Sequence, residues 1–184
     1  LLGLSLMSMA HADQRPVILV LGDSLSAAYG MKLEESWPAL LQQRLQNKNH
    51  DYRVINSSAS GDTSLTARNR LQANLAEYRP DLCLVEIGGN DGLRGLPFTE
   101  IRESLSAIVE TAGERGVEVL LAGIRLPPNY GEAYNSIFTG IYSELAGKYA
   151  ISLVPRLMAQ VADNSELMQE DGIHPTAEGQ PQLL

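Results

Sequence analysis

Short apolar runs alternate with longer amphipathic stretches along this chain, and the alternation predicts its elements. Val17–Gly22 (VILVLG) is a continuous apolar run set between Pro16 and a glycine, which reads as a buried strand. Tyr52–Asn56, Leu82–Ile87, Val117–Ile124 and the weaker Ile151–Val154 repeat that pattern. Helical stretches lie between them. Ser36–Asn47 carries Leu40, Leu41 and Leu45 at helical spacing, with Ser36 as N-cap and Pro38 in the first turn. Thr63–Tyr78 carries Leu65, Leu71 and Leu75, and Pro80 follows its end. Thr99–Arg115 takes Thr99 as N-cap, Gly116 just past its end, and Ile101, Leu105, Ile108 and Val109 on one face. Glu132–Tyr149 has Ile137, Ile141 and Leu145 four apart, and Leu157–Ala162 reads as a short helix.

Strands that are apolar on both faces and alternate with helices make a parallel sheet covered on each side. Five of them in this length predict a doubly wound α/β fold with strand order 2-1-3-4-5. Such sheets bind ligands outside the carboxyl ends of their strands. The places to look are therefore the turns after residues 22, 58, 87 and 124.

Composition narrows the partners. Against 14 Lys and Arg stand 22 Asp and Glu, a net charge of −8, which argues against nucleic acid or an anionic membrane surface. The lone Cys83 excludes an internal disulfide and a multi-cysteine metal site; it sits in an apolar run and reads as a small buried hydrophobe. Three histidines, His11, His50 and His174, leave little for a histidine-rich metal centre. The apolar Leu1–Met9, followed by Ala10-His11-Ala12, reads as the remnant of a signal peptide spanning residues 1–12. Cleavage near Ala12 would export residues 13–184 as one domain to the periplasm or beyond, with no stable membrane insertion. Nothing in the pattern demands more than a monomer.

The strand-end turns carry the chemistry. Gly22-Asp23-Ser24-Leu25-Ser26 follows the first strand, Ser60-Gly61-Asp62-Thr63-Ser64 follows the second, and Gly88-Gly89-Asn90-Asp91 follows the third. Asp171-Gly172-Ile173-His174-Pro175 lies near the C-terminus. Each taken alone is a turn or a cap. Together they offer a serine at a strand end and a histidine that can take its proton, with an aspartate three residues before that histidine. Oxyanion donors would be the Ser24 N–H, the unencumbered Gly61 N–H and the Asn90 amide. His174 reads equally as an exposed loop histidine beside a turn-forming Asp171. His50, in a charged helix exit, reads as a solvated surface residue. Asp23, Asp62 and Asp91 read as caps and loop scaffolding, and Ser26, Thr63 and Ser64 as turn and capping hydroxyls.

GDSLS at 22–26, SGDTS at 60–64, GGND at 88–91 and DGIHP at 171–175 together resemble the blocks of the SGNH (GDSL-type) hydrolases, in order and spacing. The resemblance runs from Val17 to Pro175. Leu126–Gly131 is similar to the substrate-side loop of the bacterial periplasmic thioesterase, lysophospholipase and arylesterase branch. The resemblance implies a flavodoxin-like, three-layer α/β/α sandwich. It implies Ser24 as nucleophile, His174 as base, Asp171 as its partner, and Ser24, Gly61 and Asn90 as the oxyanion hole. It points to Pro128, Asn129 and Tyr130 for substrate binding, with Tyr134 beside them. It implies an acyl ester or thioester as substrate and neither metal nor organic cofactor. Family members continue into a terminal helix, which Gln180–Leu184 could open; without one, the loop of Asp171 and His174 is expected to lose packing support. Rival readings are an exported module that binds a small anion at helix N-termini, an acyltransferase, and a carbohydrate O-deacetylase. Only ten aromatic residues, few for stacking on sugars, favour an acyl chain.

Overall fold

The computed structural model describes residues 15–184, so the reading of residues 1–12 as a leader lies outside it. Five parallel strands form one sheet in the order β2-β1-β3-β4-β5. They are β1 (Val17–Gly22), β2 (Arg53–Asn56), β3 (Leu82–Glu86), β4 (Glu118–Ala122) and β5 (Ser152–Val154). The register aligns Leu19 with Ile55 and Cys83, Cys83 with Val119, and Leu121 with Leu153. All carboxyl ends therefore reach the same edge. The strand order reverses between β1 and β3, which makes their ends the switch point where a crevice opens.

Alternation along the strands sorts the two faces. Leu19, Leu21, Cys83, Val85 and Leu121 point into the larger core. There they meet α2 (Ser64–Tyr78), α4 (Phe98–Gly113) and α5 (Glu132–Tyr149) through Leu71, Leu105, Ile108, Phe138 and Ile141. Val20, Leu84 and Ala122 point the other way, onto Trp37 of α1 (Trp37–Asn47), Val161 and Leu183. A single turn of helix, α3 (Gly89–Leu93), follows β3 directly. Among the described residues no helix is long and apolar enough to cross a membrane.

Several boundaries differ from the sequence pattern for physical reasons. Leu65 and Ile137 are 50% and 53% exposed. Residues four apart drift about 40° around a helix at each step, so Ile137 has left the face held by Ile141 and Leu145. Phe138, one residue on, fills the core in its place. α4 starts at Phe98 behind Pro97, whose fixed φ sets the first turn, so Thr99 is not its cap. Residues 157–162 are successive turns rather than a helix, with Leu157 N–H tied to Gly123 O at 3.0 Å. Thr63 does cap α2, reciprocally with Thr66.

Ser36 does not cap α1; its hydroxyl donates backwards to Leu33 O at 2.6 Å. The first N–H of α1, on Trp37, instead donates to Gln180 Oε1 at 2.8 Å, 143 residues away. An orphan helix donor thus finds its acceptor in the C-terminal segment. That segment, Ala177–Leu183, is a 3-10 helix that buries Gln180 and Leu183. The segment follows the loop of Asp171 and His174 and is fastened to the start of α1.

Gly123 ends β4 where a Cβ would overlap the backbone oxygen of Pro155. A backbone neighbour cannot rotate away. Gly123→Ala is expected to cost about 1–3 kcal/mol of stability, read from urea melts; an unchanged midpoint would show that the Pro155 turn yields freely.

Candidate active site

The chain leaves β1 through a turn that Asp23 organises. Asp23 Oδ1 accepts from Leu25 N–H at 3.0 Å, and Asp23 O accepts from Ala27 N–H at 3.0 Å. Ser24 projects from this turn, and its Oγ lies 2.7 Å from His174 Nε2. His174 Nδ1 lies 2.6 Å from Asp171 Oδ2. A carboxylate can only accept, so the neutral imidazole keeps its proton on Nδ1 and Nε2 is free to accept from the serine. Asp171 Oδ1 accepts from the Ile173 and His174 N–H groups at 2.9 and 3.0 Å. Partial burial by itself would raise the Asp171 carboxyl, but those backbone bonds and the His174 ring outweigh it and hold it below its ordinary value.

The histidine loop is braced by residues that no motif marked. Gln169 N–H donates to His174 O at 2.8 Å, and Gln169 Nε2 donates to Pro175 O at 3.0 Å and Tyr29 O at 2.9 Å. The same amide closes on Gly30, where a Cβ would stand 2.5 Å from Gln169 Oε1. This brings the Tyr29 ring over His174, with centroids 4.3 Å apart.

The other donors come from the β2 and β3 ends. Asn90, on α3, donates through Nδ2 to Asp62 O at 3.0 Å and lies 3.4 Å from Asp23 Oδ2. α3 begins at Gly88, with φ +117, where a Cβ would meet the Tyr142 hydroxyl at 2.5 Å. The same turn is tied to α2, since Asp91 accepts from Ser64 N–H at 2.8 Å and Ser64 Oγ at 2.5 Å. Gly61 has φ +84, and its carbonyl accepts from Arg94 at 3.1 Å. Among the described residues neither the Ser24 N–H nor the Gly61 N–H has an acceptor, so both are available. Arg70 locks the frame. It pairs with Asp62 at 2.8 Å and donates to Ser57 and, at 3.1 Å, to Gly22 O.

A cleft of about 370 Å³ opens beside Ser24, Asn90 and His174, walled by Leu25, Leu93, Leu126, Met158, Met168 and Ile173. Pro128 lines it; Asn129 does not. Tyr130 and Tyr134 turn away and donate to Leu93 O and Gly92 O, bracing α3 from behind. A larger depression of about 920 Å³ lies at the opposite end of the sheet, where His50 sits exposed, and it holds none of these groups. Among the described residues no three His, Cys, Asp or Glu side chains are placed to hold a metal ion. Cys83 is buried, and burial pushes its thiol up to about 12.

A serine with a base, an oriented base and free donors on one crevice can carry out acyl transfer. Comparison with known proteins agrees. The model of the GDSL-like lipase/acylhydrolase family matches residues 20–181. The chain belongs to that family. It is thus an acylhydrolase, an enzyme acting on ester bonds. This acylhydrolase is 45% identical to the esterase TesA of Pseudomonas aeruginosa over 98% of its own length and 90% of that protein's. It is 44% identical to thioesterase 1/protease 1/lysophospholipase L1 of Escherichia coli K12, over 93% and 81%. The structure of the psychrotrophic esterase EstA from Pseudoalteromonas sp., inhibited by monoethylphosphonate, superposes with a TM-score of 0.87 at 40% identity, covering 91% of each chain.

Asp23 is buried beneath this acylhydrolase's serine. Burial raises its carboxyl from 3.8 to about 6, against the pull of the Leu25 N–H, His174 and Asn90. The folded protein thus keeps a proton that the unfolded chain has lost, and this contribution to stability falls as pH rises from about 4 through 6. Asp23→Asn removes the effect. Its stability relative to wild type is expected to climb by about 3 kcal/mol between about pH 4 and pH 7, measured by urea melts at both values. A difference that stays flat across that window would place the Asp23 carboxyl in its ordinary range.

Proposed function

We propose that the enzyme hydrolyses carboxylic acyl esters and thioesters through an acyl-enzyme on Ser24. The observation that carries this reading is the continuous line Ser24 Oγ, His174 Nε2, His174 Nδ1, Asp171 Oδ2, with links of 2.7 and 2.6 Å, at the mouth of an apolar cleft.

Ser24 Oγ attacks the acyl carbonyl as His174 Nε2 takes its proton. Asp171 holds the ring in position and stabilises the imidazolium. The carbonyl oxygen becomes an oxyanion facing the Ser24 and Gly61 N–H groups and the Asn90 amide. His174 then gives its proton to the leaving alcohol or thiol, and the acyl group stays on Ser24. Water enters, His174 takes one of its protons, and the second tetrahedral species collapses to free acid and serine.

Leucine, isoleucine, methionine and proline line the cleft alongside Arg125, Arg156 and Asp163. With no phenylalanine, tyrosine or tryptophan among its lining residues, it suits an acyl chain better than a sugar, which would want stacking surfaces. Aryl esters, acyl-thioesters and lysophospholipids are the substrate classes this favours, in keeping with the names of the relatives. Pro128 is the substrate-loop residue at the wall; Tyr130 acts on the site through α3. The apolar stretch ending at Ala12 supports export to the periplasm, where the enzyme works as a monomer without a cofactor.

Hydrolysis of p-nitrophenyl esters from acetyl to dodecanoyl should vanish in Ser24→Ala, and a fluorophosphonate should attach to Ser24 alone. Activity that survives Ser24→Ala would sink the mechanism. Asn90→Ala is expected to lower kcat by about 10²–10³-fold with little change in KM; a loss confined to KM would remove Asn90 from the oxyanion hole.

A further inference from the structure

Glu86 closes β3 directly beneath the Ser24 turn, and its side chain has no exposed surface. It touches no reacting atom. Its Oε2 accepts from Ser26 Oγ at 2.6 Å, and Ser26 Oγ accepts from Trp37 Nε1 at 3.1 Å. Ser26 O accepts from Asn56 Nδ2 at 2.7 Å. Ser26 is thus gripped from β3, α1 and β2, two residues after Ser24. Gly22 makes the grip possible, because a Cβ there would stand 2.7 Å from Ser26 Oγ and 2.9 Å from Glu86 Oε2. From Trp37 the network runs on to Gln180, six residues after His174.

The charge state of Glu86 follows from its surroundings. Oε1 is buried with no hydrogen-bond partner. The titratable groups facing it are Asp23, from the turn after β1, and Tyr142, from α5. Asp91 and His174 in turn face Asp23. Arg70 is committed to Asp62, Ser57 and Gly22 O, and among the described residues no cation pairs with Glu86. An ionised carboxylate here would leave one oxygen bare, out of water, beside a second acid. Burial first, and the Asp23 carboxyl second, push the Glu86 carboxyl well above its ordinary value, against the pull of the Ser26 hydroxyl and the Asp23 N–H.

We propose that Glu86 is a neutral carboxylic acid that positions the Ser24 turn through Ser26, a role that rests on Ser24 being the nucleophile. It works by accepting the Ser26 hydroxyl at a fixed distance. Charge plays no part in it.

Infrared spectroscopy tests the first half without any assay of activity. At about pH 8, where ordinary carboxyls are ionised, the protein should show a protonated-carboxyl C=O band that E86Q removes. No such band, or one that survives in E86Q, overturns the neutral acid. Kinetics test the second half. E86Q keeps an acceptor for Ser26 and should hold kcat within about threefold of wild type. E86D, which draws the carboxyl back by one methylene, and S26A should each lose about 10- to 100-fold in kcat with KM nearly unchanged. An active E86D beside an inactive E86Q, or an S26A with full kcat, overturns the positioning role. If E86Q fails to fold, S26A still decides it. Hydrolysis that survives S24A would instead fault the serine mechanism and leave the infrared result standing.

Discussion

The hydrogen bond from Ser24 to His174 joins loops 150 residues apart in the chain, and the architecture around it keeps its two ends 2.7 Å apart. One end is rooted in β1, buried along its whole length inside the sheet. The other has no strand beneath it. It hangs on a short loop whose shape comes from Asp171 accepting two backbone N–H groups, and from Gln169 tying it to the Tyr29 turn. Gln180 then fastens the following segment to the start of α1. A parallel sheet supplies one fixed edge; small polar contacts supply the rest.

Similar contacts recur around the crevice, where side chains from α2, α3 and β2 satisfy backbone carbonyls at neighbouring strand ends. Arg70 reaches the carbonyls of Gly22 and Ser57, Asn90 reaches that of Asp62, and Asn56 reaches that of Ser26. Loops at a sheet edge carry backbone groups that no ladder pairs, and each must find a partner when buried. Here those obligations are discharged between loops, so satisfying them also aligns the loops. Among the described residues the Ser24 and Gly61 N–H groups stay free, while the Asn90 amide is held in place by Asp62 O and Asp23 Oδ2.

The acids around the serine divide by environment. Asp171, half open and bonded by N–H groups, stays anionic and steadies the imidazole. Asp23 and Glu86, sealed under the turn without a cation, are pushed toward neutrality. Asp171 thus places a negative charge where the reaction develops a positive one, while burial makes further charge under the turn costly. A full complement of anions would oppose the oxyanion.

The five strands, four long helices and their order were readable from the sequence, because burial on both faces or on one leaves a period in the residues themselves. Ser24, Gly61 and Asn90 stood out as candidates because they lie in glycine-bearing turns at strand ends, and Asp171 and His174 because they share a short glycine-bearing loop. Position in a turn is a local property, and the parallel topology brings such turns together without further information. What tertiary structure decided were matters of partner and direction. Gln180 rather than Ser36 serves α1, Phe138 rather than Ile137 fills the core, and Tyr130 faces α3 where the cleft was expected. Arg70, Gln169, Tyr29 and Glu86 sit in stretches whose pattern says only helix, turn or strand. Their work depends on atoms tens to more than a hundred residues distant, and no local period records which distant atom a side chain will meet.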